Sequence, residues 1–136
     1  AMYNLIEGNM LYGEEVDGVS QLKRGIHLYG PGTRGNQIIG NRVSNVRYAG
    51  IDCVGADLLV SGNYLEGCAT GISAAYCPDS FVTGNIVRRS RGASIRLQRD
   101  VAGLVVSGNS LDREVVLATG TAAPTGMYVV ESNFVA

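Results

Sequence analysis

Short runs of Val, Ile and Leu alternate along the chain with Gly and Asn, and they do so on a regular beat. Residues 6–11 read Ile-Glu-Gly-Asn-Met-Leu, and the same hexad returns at 38–43, 60–65, 82–87, 106–111 and 130–135. Its asparagines, Asn9, Asn41, Asn63, Asn85, Asn109 and Asn133, are 32, 22, 22, 24 and 24 residues apart. A second motif follows most copies: Gly25-Ile26-His27-Leu28, Gly50-Ile51-Asp52-Cys53, Gly71-Ile72-Ser73-Ala74 and, with the glycine displaced, Gly92-Ala93-Ser94-Ile95-Arg96-Leu97. Nowhere do apolar residues recur at i, i+3, i+4, i+7 over the length of a helix, so the pattern predicts an all-β chain of short strands. Hairpin turns favour Asn-Gly, whereas here the order is Gly-Asn. Identical hexads in constant phase instead predict a chain that returns to the same point after each full coil. That is a parallel β-helix of about six coils, in one domain over residues 1–136.

In such a coil the first and sixth hexad positions point inward. They form two apolar columns: Ile6, Ile38, Val60, Val82, Val106, Val130, and Leu11, Val43, Leu65, Val87, Leu111, Val135. Stacked at the strand spacing of about 4.8 Å, the asparagines are expected to form an amide ladder that satisfies polar groups inside the solenoid. Alternation then turns two other columns outward, and both are largely apolar: Leu5, Gln37, Leu59, Phe81, Val105, Val129, and Met10, Arg42, Tyr64, Ile86, Ser110, Phe134. Strands apolar on both faces are normally covered on both, which predicts a homo-oligomer or a flanking domain, with the chain a module of a longer protein.

These hexads and the Gly-Ile motif together resemble the right-handed parallel β-helix proteins, the pectate-lyase-like superfamily, over nearly the whole chain. The resemblance implies a right-handed solenoid. It leaves the activity open, because polysaccharide lyases, glycoside hydrolases, uronate epimerases, phage tailspikes and noncatalytic scaffolds share that fold. Neither the Asp-Pro-His pattern of mannuronan epimerases nor the paired aspartates of polygalacturonases is evident here. By the same resemblance, substrate lies in a groove along an exposed sheet.

The residue after each inward Ile of the second motif should face outward, placing His27, Asp52, Ser73 and Arg96 in one external column, with Tyr29, Val54, Ala75 and Gln98 two residues on. His27 beside Asp52, with Arg96 further along, has the parts that a uronate lyase or epimerase needs: a base for the C5 proton and a cation for the sugar carboxylate. Arg88, Arg89, Arg91, Arg96 and Arg99 add five guanidinium groups within twelve residues. Arginine's fork suits carboxylates, so the expected partner is an acidic polysaccharide or oligosaccharide, with Tyr29, Arg88, Arg89, Arg91 and Arg99 as its contacts. Two irregularities, residues 12–18 and 31–35, are expected as loops overhanging the His27 end.

Composition narrows this picture. Nineteen glycines are dispersed among apolar residues, which excludes disorder and a collagen repeat. A net charge of -1 argues against nucleic acid as a partner. No apolar run approaches the roughly 20 residues needed to cross a bilayer, so no membrane partner is expected. One histidine and three cysteines without a C-x-x-C pair offer too few ligands for a structural zinc, and neither metal nor cofactor is expected. Cys53, Cys68 and Cys77 suit buried apolar positions, with a Cys68–Cys77 bridge as the alternative. No signal peptide is visible; the expected setting is extracellular, on a cell surface or on a phage virion. The reading that results is a noncatalytic polysaccharide-recognising module, tailspike-like assemblies being one home. A lyase, epimerase or hydrolase working through His27, Asp52 and Arg96 is its rival, and a structural spacer is the third reading.

Overall fold

The computed structural model describes residues 3–30 and 32–135. The Gly-Asn step sets the local geometry. Gly8, Gly40, Gly62, Gly84 and Gly108 hold φ between +63° and +67°, with Ser132 in the sixth copy at +54°. At Gly8 and Gly40 a Cβ would meet nothing, so the backbone angle, and not space, selects glycine there. Each bend joins two short strands. The strands before it, Leu5–Glu7, Gln37–Ile39, Leu59–Ser61, Phe81–Thr83, Val105–Ser107 and Val129–Glu131, form one six-stranded parallel wall. Those after it form a second wall: Met10–Tyr12, 42–44, 64–66, Ile86–Arg88, Ser110–Leu111 and Phe134–Val135.

The twelve-residue strands Arg42–Cys53 and Tyr64–Ala75 run on from the second wall into a third, bending where their register shifts between Val46 and Ala49. There they meet Ile26–His27, Ala93–Gln98 and Val116–Leu117. This is the expected parallel β-helix. Six passes through the first wall bound five complete turns, so the solenoid has about five turns instead of six.

Register follows the hexads residue for residue. Ile38, Val60, Val82 and Val106 pair in sequence along the first wall, as do Val43, Leu65 and Val87 along the second. All seven are buried, as are Ile26, Ile51, Ile72 and Ile95 on the third. Removing each such side chain from water contributes about 1.5–3 kcal/mol. The columns open at the ends, where no further rung covers them: Ile6, Leu11 and Val135 are half-buried, and Val130 is 39% exposed.

The amide ladder is complete. The backbone N–H and Nδ2 of each asparagine donate to Oδ1 of the next, at 2.8–3.1 Å through all five steps. The second Nδ2 hydrogen of Asn41, Asn63, Asn85, Asn109 and Asn133 goes back to a first-wall carbonyl at 2.9–3.1 Å. Among the described residues no buried side-chain polar atom lacks a partner.

Two further features lie outside the hexad reading. The irregularity at 12–18 leads into a true hairpin over 15–20: Glu15–Val16 pairs antiparallel with Val19–Ser20 across Asp17-Gly18, both at positive φ. An Asp-Gly step in that conformation is a hairpin turn, a signal the regularity of the solenoid masked. The third wall also opens on glycines of another kind. A Cβ at Gly25 would lie 2.4 Å from Gly50 O, and one at Gly71 would lie 2.5 Å from Ser94 O, so neighbouring backbone excludes a side chain there.

All three cysteines are free and buried, as small core residues. Burial pushes the Cys68 thiol up to about 11 and that of Cys77 to about 12. The Cys68–Cys77 bridge is not formed.

Candidate functional site

Strand pairing places His27 opposite Asp52, Asp52 opposite Ser73, and Ser73 opposite Arg96, so the expected column exists in register on the third wall. It is uneven in exposure. His27 and Arg96 are exposed and Asp52 is half-buried, but Ser73 is buried to 9% under Gln98, whose amide Nε2 donates to Ser73 Oγ at 3.4 Å.

His27 Nδ1 lies 2.9 Å from Asp52 Oδ2, and the same oxygen accepts from Arg24 Nε at 3.0 Å. The ring also packs against Tyr29, with centroids 5.7 Å apart. Arg96 stands two rungs beyond Asp52, about 9.6 Å along the axis. The two therefore stand further apart than the width of one sugar ring.

Beside this column runs a shallow groove of about 360 Å³, lined by Arg24, Tyr48, Asp52, Thr70, Ser73 and Gln98. Arg24 rests over the Tyr48 ring at 5.8 Å. Neither Arg24 nor Tyr48 was expected from the sequence. Both precede the Gly-Ile motif at positions with no repeated residue type, so no column marks them.

The five arginines do not converge. Arg88 donates to Val87 O, Ser110 O and Ser110 Oγ, and Arg91 donates to the carbonyls of Gly67, Val46 and Arg47. Arg99 donates to Thr121 O, and Arg89 pairs with Glu66 at 3.2 Å. These four tie neighbouring turns together around the solenoid, and Arg96 alone joins the column. The loops divide similarly. Ser20 and Gly13 pin the hairpin to Asn45, on the approach to the groove. Of residues 31–35, Pro31 lies outside the described residues. Thr33 donates to Val54 O and Arg34 pairs with Asp57, so 32–35 borders the opposite flank, near Tyr29.

A parallel solenoid with a polar column along one wall is the class of protein that fold and site define. Within that class, the profile of the family described as periplasmic copper-binding protein (NosD) matches residues 2–133, and the chain belongs to the NosD family. No curated protein and no solved structure matches it. A periplasmic family agrees with the expected setting outside the cytoplasm, and no helix among the described residues is long and apolar enough to cross a membrane.

Copper takes thiolate, thioether or imidazole ligands converging on one point, and this chain's thiols and its one imidazole do not fit that demand. The thiols are buried, with Cys77 donating to Cys53 O at 3.0 Å and Cys68 to Glu66 O at 3.8 Å. Burial holds them protonated. Nδ1 of His27 faces the Asp52 carboxylate at 2.9 Å. Among the described residues no three His, Cys, Asp or Glu side chains form a metal-holding group.

Proposed function

We propose that the chain is a carbohydrate-recognising β-helix module that works outside the cytoplasm and lays an acidic oligosaccharide along the His27–Arg96 column. The observation that carries this reading is the groove beside Asp52. Its lining is a set of hydrogen-bonding side chains that includes Arg24, and Arg96, outside the lining but in register on the same column, adds a second guanidinium to meet carboxylates. Asp52, Ser73, Thr70 and Gln98 supply acceptors and donors for sugar hydroxyls, and Tyr48 supplies an aromatic face. The setting we propose is a surface or tailspike-like assembly, in which other copies cover the outward apolar columns. The family's copper is not carried over, because the donors do not converge.

Titration with tetragalacturonate and with neutral maltotetraose, each at two salt concentrations, tests the reading. Expected are tighter binding of the acidic sugar and weakening by salt. The Arg24→Ala and Arg96→Ala variants should each lose most of the acidic preference. Equal affinity for both sugars, insensitive to salt, overturns it.

One observation favours a second reading. His27 Nδ1 lies 2.9 Å from the Asp52 carboxylate, the kind of imidazole–carboxylate pair that can orient a lyase or epimerase base. Turnover of a uronate polymer that disappears in His27→Ala would establish catalysis; unchanged polymer after prolonged incubation would leave recognition alone.

A further inference from the structure

The corner that follows the His27 column carries a second depression, of about 590 Å³, on the other flank of the His27–Tyr29 stack. At one equivalent position of this corner every rung has positive φ: Gly30 at +109°, Gly55 at +132°, Tyr76 at +53° and Arg99 at +65°. The first two rungs use glycine, for which such angles carry no steric cost. Tyr76 is a bulky residue in a region that disfavours it. Its carbonyl accepts from Gly55 N at 2.9 Å, a contact any residue would supply. The ring is half exposed, and Tyr29, two rungs away, is 82% exposed. Two tyrosine faces thus border one groove, about 9.6 Å apart along the axis.

Between them the groove is small-sided and apolar, with Val54, Gly55, Ala56 and Pro78 as its floor. A Cβ at Gly55 would lie 2.2 Å from Thr33 Oγ1, so that part of the floor holds no side chain. Its charged groups are Arg34, neutralised by Asp57, and Asp100, whose Oδ1 accepts from Ala102 N at 3.2 Å. Among the described lining residues the one cation, Arg34, is thus held by a carboxylate, and Asp100 would repel an anion. The apolar C–H faces of uncharged pyranose rings suit the electron-rich faces of the two tyrosines.

We infer that the Tyr29–Tyr76 groove is a binding site for a neutral oligosaccharide, separate from the acidic column. The inference rests on the carbohydrate reading above for the class of ligand, but on none of its residues. Calorimetric titration of the whole chain with cellohexaose and with hexagalacturonate, at two salt concentrations, tests it. Cellohexaose should bind with salt-independent affinity. Tyr29→Ala and Tyr76→Gly should each weaken it roughly tenfold, the loss of one stacking contact, while Tyr29→Phe retains it.

Tyr76→Gly should melt at or above the wild-type temperature, because glycine relieves the strained angle. A purely structural Tyr76 would instead lower the melting temperature and spare binding. Absence of cellohexaose binding, or binding unchanged in Tyr76→Gly, overturns the inference. If hexagalacturonate alone binds, this site fails while the acidic column stands; if cellohexaose alone binds, the reverse holds; if neither binds, both fail.

Discussion

The Gly-Asn bend and the corner beyond the His27 column are turns of the same coils, yet one repeats itself and the other varies from rung to rung. At the bend, Gly and Asn recur in the first five copies and the sixth keeps the Asn, because each rung must supply both the donor and the acceptor its neighbours need. At the far corner the residues are Gly30, Gly55, Tyr76 and Arg99, and only the sign of φ is held in common. Where a turn is bonded to its own copies it is bound to repeat. Where it faces solvent, each rung is free to carry a different side chain, and both grooves border that freer side. Stability should therefore concentrate in the bend and its columns, and recognition in the variable corner and the wall leading to it.

The largest effect should come from the inner columns. Leu65→Ala, in the middle of the second wall, should cost about 2–5 kcal/mol, because stacked neighbours on both sides prevent collapse of the cavity. Chemical denaturation measures it; a loss below 1 kcal/mol would mean that the column is loosely packed.

Ionising a thiol inside that core ranks next. The folded-state values of Cys68 and Cys77 lie near 11 and 12, above the ordinary value of 9.0. Raised values mean that the contribution of these thiols is fully present below pH 9 and lost as pH climbs toward 11–12. Melting temperatures from pH 8 to 12 should fall over that window, and a Cys77→Ala variant should fall less steeply.

Asn85→Ala should cost about 1–3 kcal/mol, since it strands the donors of Asn63 and the acceptor of Val60 inside the solenoid. A melt indistinguishable from wild type would show that the ladder is ornamental. Smaller still is Phe81→Asp. Phe81 is 50% exposed on the outer face of the first wall, so the fold should survive the charge. Light scattering should instead show loss of any homo-oligomer built on that face. A wild-type chain that is monomeric at high concentration would remove the proposed association.

What was legible in the sequence follows the same divide. The ladder, both inner columns, the outward columns and the His27–Asp52–Ser73–Arg96 register could be read because identical residues repeat wherever rungs bond to rungs. Arg24 and Tyr48 could not, because each occurs once. The arginines misled for a related reason. Five in twelve residues look like a cluster, but a β-coil turns its chain around the axis within that span, sending Arg88, Arg91 and Arg99 to carbonyls on different sides. Proximity along a solenoid chain is a poor guide to proximity in space; a shared position in successive coils is a good one.

The asparagine ladder also gives the solenoid a direction. Every side-chain amide of the ladder bonds through its oxygen toward the first turn or through an Nδ2 hydrogen toward the last, through all five steps. The dipoles add along the axis and polarise one another. Asn9 thus leaves a carbonyl outermost at one end, and Asn133 leaves a backbone N–H outermost at the other. Any further rung, whether from the same polypeptide or from a second molecule, continues the ladder only head to tail, since the opposite approach brings oxygen to oxygen or hydrogen to hydrogen. Growth of this structure is vectorial, and its two ends are not interchangeable.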